Sequence, residues 1–554
     1  MNKRYLLIFF AIFILGAFFR FFRLTEIPLG LYPDEAMNGN NALEAIATHH
    51  FKVFYPENNG REGFFINMQA LSVWAFGPYP WALRGVSALV GTLTIIGIFL
   101  VTKEIFSHRG NKRKQSAATT IALLAAFFLA TSYWHLNFSR IGFRAIMVPM
   151  VSTFALYFLL KGLRTKSILS LILAGIFTGI GYQTYIAFRF FTFVLAIPLV
   201  AELISYFRNY RISENPKKSW RIPCGPCAVV LFLFITFVTA LPLGMYFLHN
   251  IPDFIGRGNQ VSIFAAASPL KEFVTSNIKT LGMFFVSGDC NWRHNYNCMP
   301  SLAFPLALFF TFGIFVTLRD CFKRTYVSTS VPFILLVWLV LMSLPATLTW
   351  EGMPHALRTI GMIPPVMILT AFGTWRIIRA ILDYFERRKS LFPEKIQQIN
   401  RIQQEIKLLF MIAILFIPIF TFRTYFSSWA QNPNTYFALS TDLMHLGEFL
   451  RDRPSDTTAY VVVNLSGTEV RDIPMPAQTV MFITDTFRQA SREAKKIFYV
   501  RTDQLDTIRF LPEQKIIVAL LDGNDKTTLD FLQKKFPDMK PKAPGDFVIL
   551  ENYY

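Results

Sequence analysis

The sequence is short of charge: Asp, Glu, Lys and Arg together make up 16% of its 554 residues, against 53% hydrophobic and 16% aromatic residues. A soluble chain of this length carries more, so a soluble globular protein is excluded. Acids are the scarcer sign, with 35 Asp and Glu against 55 Lys and Arg and a net charge of +20. A basic excess raises the question of nucleic acid, which its distribution has to answer. Cysteine is rare, at 5 residues, and constrains little. The apolar run Tyr5 to Phe22 follows Lys3 and Arg4 as a signal peptide would, but "GAFFRFFRL" lacks a small-residue cleavage site, so the run reads as a retained first span. No internal repeat or low-complexity segment is found.

What is abundant is apolar sequence in lengths of about 20 residues, enough to cross a bilayer. About eleven spans are expected, at 5–23, 82–102, 117–134, 145–161, 167–185, 190–206, 222–246, 301–318, 328–345, 358–375 and 408–423. The fold class expected is a polytopic α-helical membrane protein. Alternate connections then hold the basic residues: "NKR", "KEIFSHRGNKRKQ", "KGLRTK", "RNYRISENPKKSWR", "RDCFKR" and the stretch from Arg376 to Lys407. Such a bias marks cytoplasmic loops, so the excess charge is topological and no nucleic-acid partner is assigned. The N-terminus is expected inside, in a plasma (inner) membrane. The connections 24–81, 135–144, 186–189, 247–300 and 346–357, with everything after about 424, are expected outside.

Two domains follow: 1–423, a membrane domain whose first outward loop is 24–81, and 424–554, a small external α/β domain. In the latter "TTAYVVVNL", "KIFYVRT", "EQKIIVALLDG" and "GDFVILENYY" read as strands, and "STDLMHLGEFLRD" and "NDKTTLDFLQKKF" as helices. It has no glycine-rich phosphate loop or triad pattern, which suits a cap or docking surface. Cys224 and Cys227 read as two small apolar thiols whose C-x-x-C spacing is incidental, without the βαβ setting of a redox motif. Cys290 and Cys298 share an outward loop and pair there if the compartment is oxidising, while Cys321 faces the cytoplasm and stays reduced.

Six of the spans have no ionisable residue in their middle, which counts against a transporter or proton pump. The polar residues gather instead in the outward loops. "LYPDEA" holds Asp34 and Glu35, "GREGFF" holds Arg61, and "YPWALRG" holds Arg84. "YWHLNFSRIGFR" holds His135, Arg140 and Arg144, and "GYQTYIAFRFF" holds Tyr185 and Arg189. "SGDCNWRHN" carries Asp289, Arg293 and His294, and "EGMPHALRTIG" carries His355 and Arg358. Each admits a plainer role. Pro33, Asp34 and Glu35 suit a helix start, and the apolar side of that helix, with Ala36, Leu43, Ile46 and Ala47, suits a helix lying on the membrane. Arginines at span ends snorkel to headgroups, and Arg20 and Arg23 anchor the first span. Taken together, acids accompanied by many guanidiniums and some histidines suit a reaction with an anionic leaving group carried by a lipid. A carboxylate takes a proton from an attacking hydroxyl and fixed cations stabilise the departing phosphate.

These residues resemble the C-type membrane glycosyltransferases, specifically the protein O-mannosyltransferase superfamily (glycosyltransferase family 39) and its bacterial lipid A aminoarabinose transferase relatives. The similarity covers most of 1–423 and rests on "RFFRL…LYPDEA", "GREGFF", "WALRGVSALVG", "SRIGFR", "GDCNWRHN" and "PHALRTIG". It implies the GT-C fold and an inverting transfer of a sugar from a polyprenyl-phosphate-linked donor to a lipid, glycan or protein acceptor at the outer face. It also implies that Asp34 is the base, that Glu35 assists positioning and that Arg84 holds the acidic loop. Arg140, Arg144, His355 and Arg358 would then meet the donor phosphate. The chain lacks the external domain inserted between spans in eukaryotic O-mannosyltransferases, and its C-terminal segment has no counterpart in the resemblance. No outward loop shows metal-ligand spacing, so neither metal nor cofactor is assigned. The readings that compete are a lipid or saccharide exporter without covalent chemistry and a scaffold for the external domain.

Overall fold

The computed structural model describes residues 3–107, 112–210, 224–322, 330–509 and 513–553. The basic loop sequences at 2–4, 103–115, 208–221 and 319–324 lie partly outside the described residues. The chain divides into two compact units: 1–22, 88–139 and 144–428 form one, and 23–87, 140–143 and 429–554 form the other.

The first unit is helical. Every expected span falls on a helix, and among the described residues of the whole chain eight helices are long and apolar enough to cross a membrane: Lys3–Phe21, Pro80–Phe106, Arg144–Thr165, Phe188–Arg208, Gly225–His249, Phe304–Phe322, Ile360–Leu391 and Pro393–Trp429. Expected spans 117–134, 167–185 and 328–345 correspond to shorter apolar helices, Gln115–Ala130, Ile168–Tyr182 and Phe333–Thr347. The basic stretch from Arg376 belongs to two helices that run on past their apolar parts. Helices Phe304–Phe322 and Ile363–Leu391 pack at glycines: a Cβ on Gly313 would meet the Leu369 carbonyl oxygen at 2.0 Å, and one on Gly373 the Phe309 oxygen at 2.1 Å. Small residues let apolar helices approach closely where lipid offers no hydrophobic drive.

The first span carries a correction. Arg20 does not anchor at headgroups: it is fully buried, donating to the carbonyls of Gly16 (2.8 Å), Ala130 (3.2 Å) and Leu129 (3.3 Å). A buried guanidinium needs acceptors, and helix-end carbonyls supply them. Arg23 is exposed and paired with Glu26. Cys224 and Cys227 are bridged, so their spacing is not incidental; Cys290 and Cys298 form the expected disulfide, and Cys321 is free.

The second unit contains a five-stranded sheet of β1 (Thr458–Val463), β2 (Ile497–Arg501), β3 (Ile516–Leu520), β4 (Lys540–Lys542) and β5 (Val548–Glu551), in the order β2-β1-β3-β5-β4. β1 is parallel to β2 and β3, while β5 is antiparallel to β3 and β4. The run "IIVAL" is apolar throughout because both sheet faces are covered. Ala459, Val461, Ile517 and Ala519 face one core with Leu446, Leu450 and Met481; Val462, Val518 and Leu520 face another with Leu532. Helices Thr441–Asp452 and Lys526–Lys535 lie where the sequence places them.

The helix carrying Asp34 and Glu35, Pro33–Thr48, also belongs to this unit. Its apolar side is not spread on lipid. Met37 enters the core of the sheet, and Ala36, Leu43 and Ile46 pack with Leu83, Phe482 and Ile483. Ala47 is exposed. A protein surface of matching apolar side chains buries that stripe as fully as a bilayer would.

Candidate active site

In the second unit, Pro33 opens the helix and Asp34 and Glu35 occupy its first turn, where acids oppose the positive end of the dipole. Successive residues on a helix point about 100° apart, so the two acids meet different surroundings. Glu35 is fully buried. Arg84 donates to it twice, Nε to Oε2 at 2.9 Å and Nη2 to Oε1 at 3.0 Å, and the Gly142 amide donates to Oε2 at 2.6 Å. The same guanidinium, 1% exposed, donates to the carbonyls of Pro28 (2.7 Å) and Gly30. The Glu35–Arg84 pair therefore ties three chain segments together, and removing one partner of such a pair costs about 3–5 kcal/mol. Glycine at 142 allows the close amide approach, since a Cβ there would stand 3.2 Å from Glu35 Oε2.

Asp34 is half-buried, and its Oδ1 accepts from the Asn58 side-chain amide. Asn58 sits on the turn between the two-residue strands Phe54–Tyr55 and Arg61–Glu62. Asn58, Asn59 and Gly60 there have φ of 52°, 62° and 79°. Asparagine and glycine adopt that left-handed conformation more readily than other residues, so "NNG" builds the turn that presents Asn58. Arg61, 2% exposed, donates to the side chains of Asn38 (2.8 Å) and Asn41, and Asn38 donates to the Gly142 carbonyl at 3.1 Å. Arg140 is fully buried, with Nη2 on the Ile27 carbonyl at 2.8 Å. Arg84 and Arg140 thus bind buried backbone and do not snorkel.

The first unit holds a separate cluster. Asp289 lies at the start of the loop closed by the Cys290–Cys298 disulfide. Its Oδ1 accepts from the Asn291 amide (2.8 Å), and its Oδ2 from the Ala356 amide (2.8 Å) and His294 Nδ1 (2.9 Å). The His355 ring lies 5.1 Å from that of His294 and is tilted to it by 38°, with Nδ1 4.0 Å from the same Oδ2. Burial would raise the Asp289 carboxyl, but the hydrogen bond from His294 and the charge of the two histidines bring it below its usual value. Burial pushes His294 down, partly offset by Asp289, and pushes His355 well below the ordinary histidine value, with His294 and Arg358 adding to the effect. These groups line a cavity of about 400 Å³ with Arg293, Glu351 and Arg358. Arg358 donates to Thr349 Oγ1 (2.7 Å) and the Glu351 carbonyl (2.9 Å).

Four expected site residues lie elsewhere in this unit. His135 is fully buried, 2.7 Å from Arg20 Nη2, and burial followed by the Arg20 charge holds it neutral, well below its ordinary value. Arg144 stacks over Tyr185 at 5.5 Å, and Arg189 over Phe254 at 4.5 Å. The readings that missed Asn38, Asn41, Asn58 and Gly142 had one usable signal: "NGNN" inside a helix, where asparagine is a poor helix former and needs another reason to be present.

No protein-family model and no curated protein matches the sequence. Among solved structures the chain is similar, over 100% of its length, to ArnT from Cupriavidus metallidurans bound to undecaprenyl phosphate, with 12% identity, a TM-score of 0.54 and 99% of that chain covered. The apo state of the same ArnT gives 12% identity, a TM-score of 0.53 and 98% coverage of that chain, with 100% of this one. The apo Archaeoglobus fulgidus oligosaccharyltransferase is matched at 14% identity and a TM-score of 0.45, over 97% of this chain and 69% of that one. At these identities the likeness is one of architecture, and the chain has the ArnT fold, the polytopic GT-C architecture that the sequence resemblance implies.

Proposed function

We propose that the protein is a membrane glycosyltransferase that moves a sugar, with inversion, from a polyprenyl-phosphate-linked donor to a lipid, glycan or protein acceptor. The reaction takes place on the outer side of a membrane whose cytoplasmic side holds the N-terminus. The observation that carries this is the unequal treatment of the acid pair: Glu35 is consumed by Arg84 and Gly142, whereas Asp34 is half-buried at a helix start and, among the described residues, accepts from the Asn58 amide. A carboxylate held in that way is free to accept a proton.

In the reaction the acceptor oxygen bonds to the anomeric carbon as that carbon's bond to the phosphate oxygen breaks. The acceptor's proton goes to Asp34, and the electron pair leaves with polyprenyl phosphate. The charge that develops on that phosphate suits fixed guanidiniums, and Arg293 and Arg358 line a cavity of the size a charged headgroup needs. Glu35, Arg84, Arg61 and Arg140 position the acidic segment. The ArnT structure with undecaprenyl phosphate supports a lipid phosphate as the leaving group.

The test is a set of vesicles containing the full chain, a panel of polyprenyl-phosphate sugars and a membrane extract supplying lipid, glycan and protein acceptors, with released polyprenyl phosphate measured by mass spectrometry. Asp34→Asn is expected to lower release by about 10²–10⁴-fold, the usual contribution of a positioned base, with thermal unfolding unchanged. Full activity in that variant removes Asp34 as the base. Movement of intact donor across the membrane, with no phosphate released from any sugar of the panel, overturns the transferase reading in favour of export.

A further inference from the structure

We propose that Arg471, in the C-terminal α/β part of the second unit, is a positioning residue for Asp34: it clamps the turn that presents Asn58 to the helix that carries the acid. The role rests on the reading of Asp34 as the base. Arg471 donates to both carboxylate oxygens of Glu44, Nη1 to Oε1 and Nη2 to Oε2 at 2.8 Å each, and Nη2 also donates to Glu57 Oε1 at 3.3 Å. Glu44 lies on the Pro33–Thr48 helix, and Glu57 precedes Asn58 in the turn. Asp34, Asn38, Asn41 and Glu44, spaced three or four residues apart, share one side of that helix. The segment 57–61 is fastened along this side at three places: Asn58 to Asp34, Arg61 to Asn38 and Asn41, and Glu57 to Glu44 through Arg471. The first two fastenings are local, whereas Arg471 comes from 414 residues beyond Glu57.

An exposed ion pair ordinarily contributes little, but this one is built differently. It is bidentate on Glu44, and Glu44 and Glu57 are 17% and 16% exposed. The guanidinium also lies over the Phe487 ring, 4.3 Å from its centroid, so an aromatic face supports it. Burial would raise the Glu44 carboxyl, yet the hydrogen bonds and charge of Arg471 bring it below its usual value. The backbone that delivers the side chain points the same way. Arg471 and Asp472 form the two-residue turn between the strands Glu469–Val470 and Ile473–Pro474, with φ of 52° and 65°. Such a turn favours glycine and asparagine, because a Cβ is crowded at positive φ. Strain of this kind persists where the surroundings require it, and here they require a guanidinium that reaches two carboxylates at once.

The experiment pairs hydrogen–deuterium exchange of the full chain in vesicles with the release of polyprenyl phosphate from the sugar panel. Arg471→Gly deletes the guanidinium and suits the positive φ, so the hairpin itself is kept. Amides of 54–62 are expected to exchange about tenfold faster in this variant, the order of one lost charge-assisted hydrogen bond, with β1 and β3 exchanging as in the wild type. The kcat for release is expected to fall about fivefold at unchanged donor KM, and Arg471→Lys to recover part of that loss. In an Asn58→Gly background Arg471→Gly should lower kcat no further, because the link it acts through is already gone. Unchanged exchange at 54–62 overturns the proposal whatever the turnover. So does a loss that multiplies with that of Asn58→Gly, or one confined to KM, because Arg471 then acts by another route. A wild type that releases no polyprenyl phosphate from any sugar of the panel overturns the transferase reading, and the positioning role with it, even where the exchange result stands.

Discussion

Glu35 in one unit and Asp289 in the other are both buried carboxylates that accept three or more hydrogen bonds, but their partners differ in kind. Glu35 is met by a permanently charged guanidinium that also binds two carbonyls. Asp289 is met by two amides and an imidazole, with a second imidazole nearby and open cavity in front. Arginine is always charged and gives Glu35 a fixed counter-charge, whereas histidine can gain and lose protons. The comparison separates a carboxylate that holds loops together from one that faces a cavity.

The largest break in the comparison is expected at Arg84. Arg84→Ala leaves Glu35 buried without its counter-charge and should cost about 3–5 kcal/mol, read as poor expression or a lowered unfolding temperature of the solubilised protein. Arg84→Lys keeps the charge and loses the fork, so it should recover only part of that stability. If Arg84→Ala unfolds like the wild type, the clamp is not architectural.

Arg358→Ala removes a charge from the cavity. It should lower kcat/KM for the donor about 10–100-fold, since hydrogen bonds to charged groups contribute about 1.5–3 kcal/mol, while the unfolding temperature stays close to the wild type. An unchanged donor dependence takes Arg358 out of the site. The smallest effect is expected at Asn58. Asn58→Gly keeps the left-handed turn and deletes only the amide on Asp34, so transfer should fall by about fivefold, the equivalent of one ordinary hydrogen bond near 1 kcal/mol. A loss as deep as that of Asp34→Asn would mean that Asn58 takes part in the reaction itself.

Much of this was legible in the sequence. Apolar runs, strand runs and the charge of the loops are local signals, and spans, strands and the two C-terminal helices fell close to where those signals put them. "PDEA" was readable both as a helix start and as a site, and the structure shows the helix start, with the two acids on different sides of one helix. What could not be read was pairing. Nothing near Arg84 in the chain announces Glu35 as its partner, and His355 comes from a different loop than the Asp289–His294 pair that it joins. Arg20 looked like a headgroup anchor because the carbonyls that accept from it at 129 and 130 are far away in sequence.

By itself the sequence determined that the chain crosses a membrane many times and where an α/β segment follows, because hydrophobic length and periodicity are properties of neighbours along the chain. It also confined the polar chemistry to the loops, since charge in the middle of a span is too costly to scatter freely. Only the tertiary structure decided which charges neutralise one another and which remain available. Burial and hydrogen-bond satisfaction depend on segments that meet through folding, and the same carboxylate is a clamp or a base according to what they bring to it.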